Sequence, residues 1–228
     1  MILIIAGRLD DSARDLAAAF PKGTARVLTC RDLSRPGWRL RPAAPTNDRI
    51  VVGGRLLSAS RVAGIVTLLP CIFPAELTHI VAPDRDYVAS EMTAFLVYWL
   101  SGLNCPMLNR ATPGCLSGPS WRVEFWCRLA QSLKISVQPP RRTTHRPHKA
   151  SAAVRSVTVV GSRVVGSDSE LLATSARAIA AAASVDLLQT FFSTGSERPR
   201  FIGATPIADV SSPAVRGAIV DHFKRSKS

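Results

Sequence analysis

The chain has 228 residues, of which 46% are hydrophobic and 20% charged, and 29 Lys and Arg against 16 Asp and Glu leave a net charge of +13. Such a composition excludes an intrinsically disordered chain, and the absence of any apolar run of roughly 18 residues excludes a helical membrane span. Five cysteines, odd in number and without a C-x-x-C pair, argue for reduced buried thiols rather than a disulfide framework.

Ile2 to Ala6 is a continuous apolar run suited to a parallel strand buried on both faces. With no basic segment before it, this start reads as a first strand rather than a signal peptide, so the expected location is the cytoplasm. Asp10 and Asp11 open a helix through Phe20, their charges favourable at its N-terminus. Ala25 to Leu28 is a second strand, and residues 31–49 form an irregular loop around Trp38. Arg49 to Leu57 predicts a hairpin turning on Gly53-Gly54. Ala63 to Leu69 is a further buried strand, followed by a helix from Asp86 to Leu103. Val88, Met92, Phe95, Leu96, Trp99 and Leu100 share one face of that helix, and Glu91 lies within it.

Residues 104–136 carry the candidate site. Pro106 to Leu108 reads as a short strand, then a Pro/Gly loop, then an amphipathic helix starting near Pro119 with Trp121, Phe125, Trp126 and Leu129 as its buried stripe. Asn109 and Arg110 stand at the strand's carboxyl end, where α/β crevices form, and an arginine there suits a carboxylate or phosphate. The competing reading gives the pair loop-fixing hydrogen bonds, with Glu91 serving as an ion-pair partner for such an arginine. Ser117 is expected to cap the following helix. Cys115 is placed on an exposed loop where a thiolate would be favoured, although the sequence nominates no base for it except His79 or His145.

From Glu124 to Asp168 no acid intervenes, while Arg128, Lys134, Arg141, Arg142, Arg146, Lys149, Arg155 and Arg163 add eight positive charges. That stretch suits nucleic acid, nucleotide phosphate or an acidic peptide, and the lack of interleaved aromatics weighs against base stacking. His145 and His148 fall in its Pro/Arg-rich part without a zinc-like ligand set. Beyond it the pattern becomes strand (Val157 to Val160), strand (Arg163 to Val165), helix (Ser169 to Ala183), strand (Asp186 to Phe192), strand (Phe201 to Ala204) and a basic helix (Pro213 to Arg225). The expected fold class is α/β: a Rossmann-like parallel sheet in the N-terminal half and a smaller α+β C-terminal half. The expected domains are residues 1–137, a basic linker at 138–155, and 156–228.

Several segments resemble one family. Y-V-A-S-E-M-T-A-F-L-V-Y-W-L (87–100), P-M-L-N-R-A-T-P (106–113) and W-R-V-E-F-W-C-R-L-A-Q-S-L-K-I (121–135) are similar to the domain that precedes the catalytic core of ATP-grasp carboxylate–amine ligases. The segments V-T-V-V-G-S-R-V-V-G (157–166), D-L-L-Q-T-F-F (186–192) and F-I-G-A-T-P-I-A-D-V-S-S (201–212) resemble the end of the same ligases. The resemblance implies a nucleotide-binding subdomain of about 100 residues between the two pieces. It also implies an acid and an asparagine that hold magnesium in the last strand. This chain has only Gln138 to Arg155 at the first place and Phe201 to Pro206 at the second, which offers no carboxylate or amide to a hard cation. The resemblance with these departures predicts a degenerate, non-catalytic partner or regulator of a peptide or amino-acid ligase system. The expected contacts to a full-length ligase, or an acidic peptide or protein, are Glu91, Asn109, Arg110, Arg141, Arg142 and Lys149, with no catalytic residue, no metal and no cofactor. One alternative is a minimal ATP- and Mg-dependent carboxylate–amine ligase whose site is completed by Arg141, Arg142 and Lys149 or across a homo-oligomer. The other is a basic nucleic-acid-binding regulator.

Overall fold

The computed structural model describes residues 1–41, 48–138, 154–194 and 199–225. It separates into two compact units, residues 1–119 with 210–228, and residues 120–209.

The first unit is a parallel α/β layer. Its strands are β1 (Ile2–Ile5), β2 (Ala25–Leu28), β5 (Gly64–Thr67) and β6 (Met107–Leu108), in the order β2-β1-β5-β6 and all parallel. All four residues of β1 and of β5 are buried, as continuous apolar runs in a covered parallel sheet require. Helix α1 (Asp11–Ala19) opens on Asp10, whose carboxylate accepts from the Ala13 N–H at 3.0 Å. A one-turn helix α2 (Cys30–Leu33) occupies part of the segment expected to be irregular, closed by a capping box between Thr29 and Asp32. The hairpin β3 (Arg49–Val52) and β4 (Arg55–Ser58) turns on Gly53 and Gly54 with φ of +58° and +73°. Both central residues being left-handed is the type I′ requirement that glycine meets without Cβ strain. Helix α3 (Arg85–Ser101) buries Ala89, Leu96, Trp99 and Leu100.

The second unit is antiparallel: β7 (Val154–Val160), β8 (Arg163–Val165), helix α5 (Glu170–Ala182), β9 (Leu187–Ser193) and β10 (Arg200–Thr205), in the sheet order β10-β9-β7-β8. The expected strand–strand–helix–strand–strand order is therefore present.

Two elements sit elsewhere than the expected boundaries at 137 and 155 suggest. Helix α4 (Val123–Ser132) belongs to the second unit, where Trp126, Cys127 and Ala130 share a core with Val157, Leu188, Phe192 and Phe201. The chain stays there, with the Phe201 N–H donating to the Ser136 carbonyl at 2.8 Å and the Gln138 N–H to the Phe201 carbonyl at 2.8 Å. Helix α6 (Pro213–Arg225) returns to the first unit, where the Phe223 ring lies 6.4 Å from Phe20. In both cases an apolar helical stripe takes the sheet face that buries it, regardless of sequence neighbourhood.

The stripe expected on α4 is corrected as well. The helix starts at Val123 rather than Pro119, so Trp121 precedes it, and Trp121 and Phe125 are 40% and 56% exposed. At 100° per residue, the face holding Trp126, Cys127 and Ala130 turns Phe125 away from the core. Phe125 instead carries the Arg128 guanidinium 5.6 Å above its ring.

Candidate functional site

The parallel sheet has a switch point. After β1 the chain moves to β2 on one side, and after β2 it crosses to β5 on the other, so the loops leaving β1 and β5 diverge. Ligands of open α/β sheets bind at such a crevice. Here it is occupied from within by Glu76. Its Oε2 accepts from the Arg8 N–H at 3.1 Å, and a Cβ built on Gly7 would lie 2.5 Å from its Oε1. The Cys30 thiol contacts the Glu76 carbonyl at 3.6 Å, and burial, reinforced by the Glu76 charge, pushes it up to about 11. Cys30 is thus a protonated, structural thiol at neutral pH. Glu76 follows Pro74 with no periodicity around it, so nothing in the sequence singled it out.

The loop after β6 is stitched to the end of β5. Asn109 is buried with φ of +65°, and its side-chain amide donates to the Ser117 carbonyl at 3.0 Å. The Ser117 hydroxyl, fully buried, lies 2.7 Å from the Leu69 carbonyl and 3.1 Å from that of Thr67. It has one proton and serves one of them at a time. Ser117 therefore does not cap α4, which starts six residues later. Thr112 Oγ1 donates within the same loop to the Gly118 carbonyl at 3.0 Å. Cys115 is 3% exposed rather than on an open loop, and burial pushes its thiol up, against the activated thiolate considered from sequence.

Asn109 consequently has a stated structural task, while Arg110 is exposed beside it. Asn109→Ala is expected to lower stability by about 1–3 kcal/mol, through a lost buried hydrogen bond and a left-handed backbone that alanine resists. Arg110→Ala should stay within about 0.5 kcal/mol. Urea unfolding followed by far-UV circular dichroism separates the two, and equal losses would contradict the assignment.

Two clefts flank α3. One of about 680 Å³ lies between the loop after β5 and the helix, lined by Cys71, Ile72, Pro74, Thr93, Val97 and Tyr98 among others. Its volume suits a small ligand or a side-chain anchor, and Thr93 ties its wall by accepting from the Ile72 N–H at 3.0 Å. The second, about 380 Å³, holds the exposed Glu91 together with Arg35, Trp38, Met92 and Phe95. Asn109 and Arg110 line neither cleft, and no ion pair joins Glu91 to Arg110 among the described residues. Arg141, Arg142 and Lys149 lie outside the described residues.

No protein-family model matches the sequence, and the search of curated proteins finds no match. Solved structures do match. The macrocyclase MdnC from Microcystis aeruginosa, bound with its precursor peptide MdnA, superposes with a TM-score of 0.72 at 10% identity, covering 98% of this chain and 99% of that one. A RiPP-associated ATP-grasp ligase from Chryseobacterium gregarium, in complex with ADP and a leader and core peptide, gives 0.67 at 11% identity over 100% and 97%. A RimK domain ATP-grasp protein from Sphaerobacter thermophilus gives 0.52 at 12% over 98% and 99%.

The chain has an ATP-grasp-like fold. The expectation from the sequence segments stands at the level of the fold. The ATP-grasp fold implies a magnesium-bound nucleotide, so the donor set can be tested for fit. Among the described residues no three Asp, Glu, His or Cys side chains converge where a metal could sit. Strand β10, R-F-I-G-A-T, brings one hydroxyl and no carboxylate to that edge. Strand β10 does not by itself supply the oxygen donors that a hard magnesium ion takes. No described helix is long and apolar enough to cross a membrane.

Proposed function

We propose that this ATP-grasp-like protein is a non-catalytic partner or regulator of a peptide-ligase system, acting by binding a peptide or a full-length ligase. One observation carries the reading. Gln138 and Val154 are both built into the second unit, so only residues 139–153 are left to join them. A segment of that length falls far below the roughly 50 residues of the smallest ordinary domains, and it cannot supply the nucleotide-binding subdomain that the resemblance implies. The unsuited donor set of β10 supports the same reading. The peptide partner is supported by MdnC and the Chryseobacterium ligase, whose structures hold a precursor peptide and a leader and core peptide.

The test is thermal unfolding with and without MgATP or MgADP. A nucleotide present at a hundredfold its Kd would add about 2.7 kcal/mol, which raises Tm by several degrees in a chain of this size. No shift is the expected result. A shift removed by joint replacement of Arg141, Arg142 and Lys149 with alanine would establish the minimal-ligase alternative instead.

A further inference from the structure

Residues 31–61 contain seven arginines and two acids, Asp32 and Asp48. Both acids are buried, and backbone amides occupy them. Asp32 accepts from Gly54 at 3.0 Å and Thr29 at 3.2 Å, and Asp48 accepts from Arg41 N–H at 2.6 Å. The arginines are thereby left without carboxylates of their own segment. Arg41, Arg49 and Arg61 are exposed, make no ion pair among the described residues, and surround an open cleft of about 760 Å³ together with Leu56, Leu57 and Ser58.

The cleft is built on a strand with an open side. β4 pairs with β3 and has no second strand neighbour among the described residues. By the hairpin register, Arg49 stands opposite Ser58 and Val51 opposite Leu56, so Arg49, Leu56 and Ser58 share one face. Ile50 and Val52 point the other way, into the core, while Val51, on the same face as Arg49, is itself buried, next to Gly37. Leu56 is 52% exposed and lines the cleft.

We infer that this face binds an acidic peptide in extended conformation, laid along the outer edge of β4. Its carboxylates would meet Arg41, Arg49 and Arg61, and an apolar side chain would meet Leu56. Unpaired guanidinium groups match carboxylates in charge and in donor geometry. An open strand edge adds main-chain hydrogen bonds to an extended chain. Nucleic acid fits less well, since the cleft has no aromatic residue for a base to stack on and includes an exposed leucine in its lining. The site is built from residues of the first unit alone and does not depend on the ligase reading above.

The experiment is fluorescence anisotropy, without nucleotide, using a labelled ten-residue peptide of alternating Glu and Val and a labelled ten-nucleotide oligo(dT). The intact protein should bind the peptide more tightly than the oligonucleotide. Joint replacement Arg41→Gln, Arg49→Gln and Arg61→Gln should weaken peptide binding at least about tenfold, and Leu56→Ser about threefold. Arg122→Gln, Arg128→Gln and Arg225→Gln together remove the same charge elsewhere and should change binding less than twofold. Urea midpoints check that each variant is folded, with Arg61→Gln alone as the milder substitution. The inference is overturned by tighter oligonucleotide binding, by no peptide binding, or by equal losses in the two triple variants, which would reduce the effect to the net charge of +13.

Discussion

Trp99→Ala is expected to lower the unfolding free energy by about 3–5 kcal/mol, among the largest losses any single truncation here should give. Trp99 is 2% exposed, and its indole stands edge-on to Trp38 with centroids 5.5 Å apart at 85°. Trp38 in turn meets Phe95 at 5.2 Å, so one truncation loosens the packing of the loop after α2 against α3. Trp99 Nε1 is buried and has no hydrogen-bond partner among the described residues. A buried unpaired donor costs free energy, and Trp99→Phe removes it while keeping an aromatic ring. Trp99→Phe should therefore cost less than about 1.5 kcal/mol. Urea unfolding monitored by far-UV circular dichroism measures both. Comparable losses in the two variants would show that indole volume alone, and not the balance of packing and an orphaned N–H, sets the energy at this position.

Gly64→Ala is the second prediction, and it tests where the C-terminal helix belongs. A Cβ on Gly64 would lie 2.5 Å from the Phe223 ring and 2.9 Å from Ile2 Cδ1. Real Cβ atoms do not approach that closely, so α6 or the β5–β1 pair must shift, at an expected cost of about 1–3 kcal/mol. Phe223→Ala alone should cost about 3–5 kcal/mol by opening a cavity. In the double variant the new methyl enters the space the ring vacates, so the combined loss should fall short of the sum by about 0.5–3 kcal/mol. Strict additivity would mean that Phe223 does not pack on Gly64 in solution.

Much of the local structure was legible from local rules. The apolar runs Ile2 to Ala6 and Ala63 to Leu69 marked β1 and β5, Asp10 marked the start of α1, and the Gly53-Gly54 pair marked its hairpin through the left-handed backbone that a type I′ turn needs. The strand–strand–helix–strand–strand order of the second unit also followed from patterning. At the candidate site less was legible. Asn109 was singled out, but its bond to the Ser117 carbonyl depends on a loop folding back across eight residues. Glu76 carried no signal at all, because its task is to meet the amide of Arg8, 68 positions away in sequence.

The sequence by itself determined the element types, the excess of arginine over acid, and a resemblance specific enough to name the fold. Those features are local: hydrophobic period, turn chemistry and charge act over a few residues and survive without knowledge of neighbours. Tertiary structure alone decided that α4 joins the second sheet, that α6 returns to the first, that Cys115 is buried while Trp121 and Phe125 are exposed, and that Asp32 and Asp48 are taken up by backbone amides. Each of these depends on which distant surface removes a side chain from water or satisfies a buried polar group. A period of 3.6 says that a helix has an apolar face, not which sheet will cover it.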